Sequence, residues 1–405
     1  MEDEKLFLGE CCKKSNLLFG SRNMYINWIE YESKTSGQKI KHVEFNRLNL
    51  LVGASAAGKT SILRAISKFI LVMSLGHSIT EQCKFKISFS IGKGRLSKTT
   101  LKDYLWEIET SKEDVLSAEN TSACPIIYEK LKDLSDGTDI IDRQDSKLNI
   151  KGYDNIPLVS KLQSAIYIFR ENNPYNIIVD DIRSSFTLYN QNIAFDSVSH
   201  KKIEQIKEII QDAKDNNKPI RWHYIVQNKF PVSLFIYIVK NTNKNKFSLF
   251  LEDLQEIFPE IEDVHIHQSS LDNGNYYLSV RQNGHWLLQP NVSSGIMRTI
   301  YFLSCLHFCE SNSVMFFDEL ENSLGVNCLD EIVERITQKS MEKGIQFLLT
   351  SHHPYIINQI PTNSWLVISQ KDGIIESNRA IDLGIGRMKQ DNFFDLINYI
   401  KRQFA

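Results

Sequence analysis

The sequence predicts an α/β fold: a mainly parallel core sheet accompanied by an antiparallel β subdomain and a helical insertion, without a long coiled coil. Three observations lead there. The run LNLLV (48 to 52) is short and apolar, as a strand buried on both faces must be, and a loop of small residues and a helical stretch follow it at once. Two further apolar runs, SVMFF (313 to 317) and IQFLLT (345 to 350), stop at acids and histidines, as strands do when they deliver side chains to the carboxyl edge of a parallel sheet. Residues 84 to 170 instead alternate apolar with polar between Gly, Asn and Asp turns, most plainly in KFKISFSIGKG and KLNIKGYDNIPL, which is the period of an antiparallel sheet.

Taken in chain order, the first informative element is the loop GASAAGKT, residues 53 to 60, of the form GxxxxGK[ST]. Only Ala and Ser separate Gly53 from Gly58, so Ala54, Ser55, Ala56 and Ala57 leave the backbone free to fold round a phosphate with its N–H groups inward. Lys59 places a point charge at the β- and γ-phosphates of a nucleotide, and the Thr60 hydroxyl is set to ligate Mg²⁺. From Ser61 the stretch SILRAISKFILVMSL carries apolar residues at helical spacing, which puts the phosphates at a helix N-terminus. The segment SHKKIEQIKEIIQDAK (199 to 214) makes one apolar stripe of Ile203, Ile206, Ile209 and Ile210 and reads as a helix of the insertion.

In the second half, Asp318 and Glu319 end the strand-like SVMFFDE. Asp318 is placed to hold Mg²⁺ through water, and Glu319 to polarise the water that attacks a γ-phosphate, because phosphoryl transfer needs chiefly positioning and charge stabilisation. Capping of a following helix is the plainer alternative for the two acids. His352 and His353 follow IQFLLT, and a histidine there can contact a γ-phosphate; the residues alone do not distinguish the two. Ser293, Ser294 and Gly295 open the helical stretch IMRTIYFLSCLHF, where hydroxyls and N–H groups can bind an anion, although by composition alone an N-cap explains them.

Composition narrows the class. The 405 residues, 42% hydrophobic and 24% charged, can bury a large core, and no apolar stretch reaches the roughly 20 residues that a membrane span needs. The start MEDEKLFLGE is not a signal peptide, and seven Cys without paired spacing fit reduced thiols, so a cytoplasmic location is expected. Cys305 and Cys309, one helical turn apart among Leu303, Leu306 and Phe308, read as core rather than metal ligands. A net charge of −2 excludes a general polycation, leaving three local basic clusters: Lys93, Arg95 and Lys98; Lys201, Lys202 and Lys207; and Lys240, Lys244 and Lys246. Each is most simply solvated surface, with DNA contact as the alternative.

The order of these pieces resembles the soluble ABC-type ATPases of the SMC, RecF and OLD group, which include bacterial anti-phage ATPases such as the ATPase halves of Septu and PARIS. The matching residues are GASAAGKT (53 to 60) as Walker A, VSSGIMR (292 to 298) as signature, VMFFDE (314 to 319) as Walker B, ENSL (321 to 324) as D-loop and SHHP (351 to 354) as His switch. The segment INWIEYESKTSGQKIKHVEFNRLNLLVG also resembles the opening hairpin of such heads. The resemblance covers about the first 75 residues and nearly all of the last 120. The signature departs from LSGGQ, with Ser294 and Ile296 in place of Gly and Gln, and the Mg²⁺-sensing Gln is unassigned between Gln82 and Gln163, the latter in the helical-looking segment LVSKLQSAIYIF.

The resemblance implies ATP and Mg²⁺ as ligands, catalytic roles for Glu319 and His352, and an ATP sandwich in which Ser293 to Gly295 of one head meet the γ-phosphate on another. It divides the chain into an N-terminal half of the head (1 to 195), an insertion (196 to 265) and a C-terminal half (266 to 405). The 51 residues after Pro354 are too few for the nuclease domain of OLD enzymes, so a separately encoded effector, a nuclease of an anti-phage system, is the expected partner. The alternative is a RecF-like repair or replication ATPase that binds DNA itself.

Overall fold

Apolar runs bounded by small or polar residues become the strands, and their pairing fixes where the polar ends meet. The computed structural model describes residues 22–93, 100–112, 115–116, 122–145, 147–154, 156, 159–188, 197–216, 232–269, 274–309, 311–386 and 392–403. The strands are β1 (Arg22–Ser33), β2 (Lys39–Glu44), β3 (Leu48–Val52), β4 (Cys83–Lys93), β5 (Thr100–Thr110), β6 (Val115–Leu116), β7 (Ser122–Ala123), β8 (Ile126–Asp133), β9 (Asp139–Gln144), β10 (Lys147–Ile150), β11 (Phe186–Leu188), β12 (Ile261–Gln268), β13 (Tyr276–Gln282), β14 (His285–Leu288), β15 (Val314–Phe317), β16 (Gln346–Thr350), β17 (Trp365–Lys371) and β18 (Ile374–Arg379). The helices are α1 (Lys59–Leu75), α2 (Ala165–Ile168), α3 (Tyr175–Ser185), α4 (His200–Asp215), α5 (Val232–Thr242), α6 (Lys244–Ile257), α7 (Ser294–Phe308), α8 (Val326–Glu342), α9 (Pro354–Gln359) and α10 (Asn392–Gln403).

Thirteen strands form one sheet in the order β10-β9-β8-β5-β4-β1-β2-β18-β17-β3-β16-β15-β11. The part that carries the loop 53–60 is parallel, β17 to β3 to β16 to β15 to β11, so the carboxyl ends of β3, β15 and β16 share one edge. Strands β12 to β14 and β6 with β7 form two smaller antiparallel sheets, while the antiparallel strands β1, β2, β4, β5 and β8 to β10 continue the large one. Their link is narrow: β18 pairs with β2 only through Ile374 with Lys39 and Ile375 with Ile40.

The period-two alternation of the strands sends side chains into two cores. Leu48, Leu50, Val52, Phe317, Phe347 and Leu349 face α7, α8 and the insertion helices. Leu51, Phe316 and Leu348 face α1, α3 and the antiparallel strands. Two buried amides set the register between these layers. The Gln346 Oε1 accepts from Ile26 N at 2.8 Å, while its Nε2 donates to Ile26 O and Asn46 O, so one side chain ties β16 to β1 and to the loop before β3. Asn49 Nδ2 likewise donates to Phe347 O at 3.0 Å. Buried polar groups survive where they are so paired.

Helix α6 is tied to α7 and α8 by an ion cluster. His307 at the end of α7 bonds Asp253 of α6 at 2.6 Å, and Arg335 of α8 reaches Asp253 at 2.8 Å and also Glu331 and Glu256. Burial alone would raise Asp253, but hydrogen bonds from His307 and Arg335 outweigh it and hold the carboxyl at about 2. A boundary at 265/266 falls inside β12, whose partner β13 lies beyond it. The helix that LVSKLQSAIYIF suggests is confined to the four residues of α2. Its start is set instead by buried Glu129, which accepts from Ser164 Oγ, Ala165 N and Trp106 Nε1 and lies 3.8 Å from Arg143. Among the described residues no helix is long and apolar enough to cross a membrane.

Candidate functional site

The loop after β3 takes a shape that only its glycines permit. Gly53 has φ +147 and Gly58 φ +96, and a side chain at either would strike β17 or β18: Ile368 O in the first case and the Ile375 side chain in the second. Ala57 N donates to Ala54 O at 3.2 Å to close the turn, Ala56 sits at φ +61, and Ser55 and Ala56 are exposed. The helix α1 that follows has Gly58 as its N-cap and no side-chain cap, so its first N–H groups are presented to a ligand.

Lys59, 6% exposed, donates to Gly53 O and Ala54 O at 3.1 and 2.9 Å. Burial pushes its pKa down, and Asp318, Glu319 and Glu321 push it back up. Thr60 Oγ1 donates to both oxygens of Asp318, at 3.2 and 3.0 Å. The hydroxyl of α1 and the carboxylate beyond β15 thus converge from positions 258 residues apart, a hard-oxygen pair suited to a divalent cation such as Mg²⁺.

Thr350, at the end of β16, completes the carboxylate site. Its hydroxyl donates to Asp318 Oδ1 at 2.6 Å and accepts from Glu319 N at 2.7 Å. Glu319 has φ +50 and an exposed side chain, so it is held by its backbone while its carboxylate faces solvent. The alternative that these acids cap a helix does not hold, because α8 begins at Val326 with Gly325 as its N-cap.

His352 and His353 separate here. Burial lowers the His352 pKa, the Lys59 charge lowers it further, and Glu321, Glu319 and Asp318 oppose both, which places this ring in the field of the loop and the acids. His353 is the N-cap of α9, and its ring lies 6.4 Å from that of Tyr355.

The signature residues make other contacts. Ser293 is the N-cap of α7, its hydroxyl accepting from Ile296 N at 3.3 Å, and Ser293 and Ser294 are both exposed. Gly295 lies against the turn after Glu319, since a Cβ there would be 3.5 Å from Ser323 O. One helical turn on, Arg298 is 2% exposed and its NH2 donates to Glu319 O at 3.5 Å, linking α7 to the Glu319 backbone. Burial brings that guanidinium down to about 10.

Four residues of this site were given no role of their own by the sequence: Thr350, which ends IQFLLT; Glu321, which opens ENSL; Arg298, which closes VSSGIMR; and Gln38. Gln38, in the turn between β1 and β2, donates to Ser61 Oγ at 3.1 Å. Of these, Thr350 and Arg298 carried a signal, a hydroxyl ending a buried strand and a cation inside an apolar helix. Gln163 donates to Gly76 O at 3.2 Å, at the far end of α1, while Gln82 N donates to Thr35 Oγ1.

Two of the basic clusters have a lysine engaged by an acid. Lys240 pairs with Asp263 at 2.7 Å and donates to Val264 O, and Lys207 pairs with Glu204 at 2.8 Å. On the outer face of the antiparallel strands Lys84, Lys86 and Lys130 pair with Glu109, Glu107 and Asp139. Arg95 and Lys98 lie outside the described residues. Cys305 is buried in α7, where burial pushes its thiol up, and Cys309 caps the same helix.

The family model described as "AAA domain, putative AbiEii toxin, Type IV TA system" matches residues 48–358. No curated protein matches the chain. Similar solved structures include an SMC head bound to the C-winged helix domain of ScpA, 12% identical over 87% of this chain and 97% of that one, with a TM-score of 0.48. The SMC head domain from Thermotoga maritima is 11% identical over 87% and 98%, with a TM-score of 0.37. A structure described under ATP-driven dimerization and DNA stimulated activation of SMC ATPases is 15% identical over 38% and 99%, with a TM-score of 0.28.

Proposed function

This chain belongs to the AAA-domain family whose model spans residues 48–358, and we propose that it binds ATP with Mg²⁺ and hydrolyses it. The observation that carries the reading is the convergence of Lys59, Thr60, Asp318, Thr350 and Glu319 at the carboxyl edge of β3, β15 and β16. The N–H groups of residues 53 to 61 would cradle the phosphates, and Lys59 would exchange its two loop carbonyls for phosphate oxygens. Thr60 and Asp318 would hold Mg²⁺, which when bound neutralises charge on the β- and γ-phosphates. Glu319 would polarise the attacking water, its carboxylate exposed and its backbone fixed by Thr350. His352 would contact the γ-phosphate.

The assembly we infer is a pair of heads. Exposed Ser293 and Ser294 at the start of the 15-residue α7 would meet the γ-phosphate bound by a second copy. Closure of the pair would then control a separately encoded effector, a nuclease of an anti-phage system. The family description names a putative toxin of a Type IV TA system, which fits a chain that works with a second gene product. Direct DNA binding is less well supported, because Lys207 and Lys240 of the basic clusters are paired with Glu204 and Asp263.

The test is ATP turnover by the purified chain, alone and with linear duplex DNA, with Glu319→Gln as the blank. The expected result is turnover indifferent to DNA and reduced about 10²-fold or more in the variant. Absence of turnover above the blank would overturn hydrolysis, and strong stimulation by DNA would replace the effector reading with a DNA-acting one.

A further inference from the structure

We propose that Glu321 is a positioning residue: its carboxylate holds the backbone of the histidine loop, so that a shift of the 321–325 turn is passed to His352. Only the consequence for turnover rests on the ATPase reading above; the tie itself stands on geometry.

Glu321 Oε1 accepts the backbone N–H of His352 at 2.7 Å, joining the loop after β15 to the loop after β16 across 31 residues. Its second oxygen, Oε2, is buried and makes no hydrogen bond within the described residues. A carboxylate oxygen kept from water without a partner is costly, and such groups persist where an arrangement depends on them. The Glu321 charge is felt by Lys59 and His352, so the side chain borders the phosphate site without belonging to the Thr60–Asp318 pair.

The turn that carries Glu321 is taut and touches α7. Leu324 N donates to Glu321 O at 3.0 Å, Ser323 is held at φ +63, and Ser323 O lies beside Gly295. A continuous line therefore runs from Gly295 to Ser323, through the turn to Glu321, and from its carboxylate to the His352 amide. Ser294 and Ser323 are both exposed, so whatever docks there pushes on one end of that line while His352 responds at the other. The part played by Glu321 is that of an acceptor, not of a base acting on water.

The test combines amide hydrogen exchange at His352 with ATP turnover in the unsubstituted protein, Glu321→Ala, Glu321→Gln, His352→Ala and the Glu321→Ala/His352→Ala pair. Losing a hydrogen bond to a charged acceptor should speed exchange at His352 about tenfold or more in Glu321→Ala. Glu321→Gln keeps an acceptor and should keep most of the protection. Turnover should fall about tenfold in Glu321→Ala with KM little changed and survive in Glu321→Gln, and the double variant should be no slower than His352→Ala. Unchanged exchange in Glu321→Ala, full additivity with His352→Ala, or a Glu321→Gln protein that is protected yet inactive would overturn the proposal. Protection that follows the expected pattern in a protein that turns over no ATP would uphold the tie and remove the ATPase reading instead.

Discussion

Replacing Thr350 by Val removes a hydroxyl that is bonded on both sides, at a position 1% exposed. Toward β15 the hydroxyl donates to Asp318 at 2.6 Å, and in the other direction it accepts from Glu319 N at 2.7 Å. A hydrogen bond to a charged group is worth about 1.5–3 kcal/mol, and a buried N–H left without a partner costs about 1–3 kcal/mol. Asp318 keeps Thr60 as a donor, so the lower half of the combined range applies, and Thr350→Val should lose about 2.5–4 kcal/mol. Val has nearly the shape of Thr, so no cavity contributes. Urea denaturation of Thr350→Val beside Thr350→Ser, which keeps the hydroxyl, would measure the loss. ATP turnover should fall with it by about tenfold or more, because Glu319 at φ +50 loses the acceptor that holds its N–H. A Thr350→Val protein within about 0.5 kcal/mol of the unsubstituted one and equally active would refute the reasoning, since such values belong to positions without specific bonds.

Three other outcomes are expected. Gly53→Ala, at φ +147 and against the β17 backbone, should cost about 3 kcal/mol, whereas Gly58→Ala meets the pliable end of Ile375 and should cost about half that; a reversed order in thermal or urea unfolding would contradict the packing described. Stability should decline in two steps on acidification. His265, His267, His307 and His352 are all depressed below 6.5 in the folded chain, so the unfolded chain takes up protons first as the pH falls through that value. Asp253 is depressed from 3.8 to about 2, so its contribution of about 2 kcal/mol, full above pH 3.8, is lost between those values and should be missing in Asp253→Asn. Ser294→Arg, at an exposed helix start, should leave ATP binding by single heads intact while blocking their ATP-dependent pairing in light scattering, and unchanged pairing would remove Ser294 from the interface.

The α/β architecture was legible because its parts are local. A GxxxxGK[ST] loop between a buried run and an amphipathic run can be recognised from spacing alone, and β3, the Gly53–Thr60 loop and α1 lie where those residues place them. The runs that became β15 and β16 were legible for the same reason: short, mostly apolar stretches that stop at acids or histidines. Where local pattern competed with burial it misled, as at Gln163, where a buried Glu129 shortens the predicted helix to α2.

Three things were decided only by the tertiary structure. His352 and His353 are adjacent and chemically identical, and they separate only because His352 lies in the field of Lys59 and the acids while His353 caps α9. Thr350 and Glu321 look like ordinary strand-end and turn residues until β15 and β16 lie side by side and bring them to Asp318 and to the His352 amide. Lys240 counted as a free basic residue until β12 delivered Asp263 to it. Residue type and spacing along the chain thus determined which groups this protein has for phosphate chemistry. Which of them touch, and which charges are already spent on one another, depended on distances between strands that no local pattern encodes.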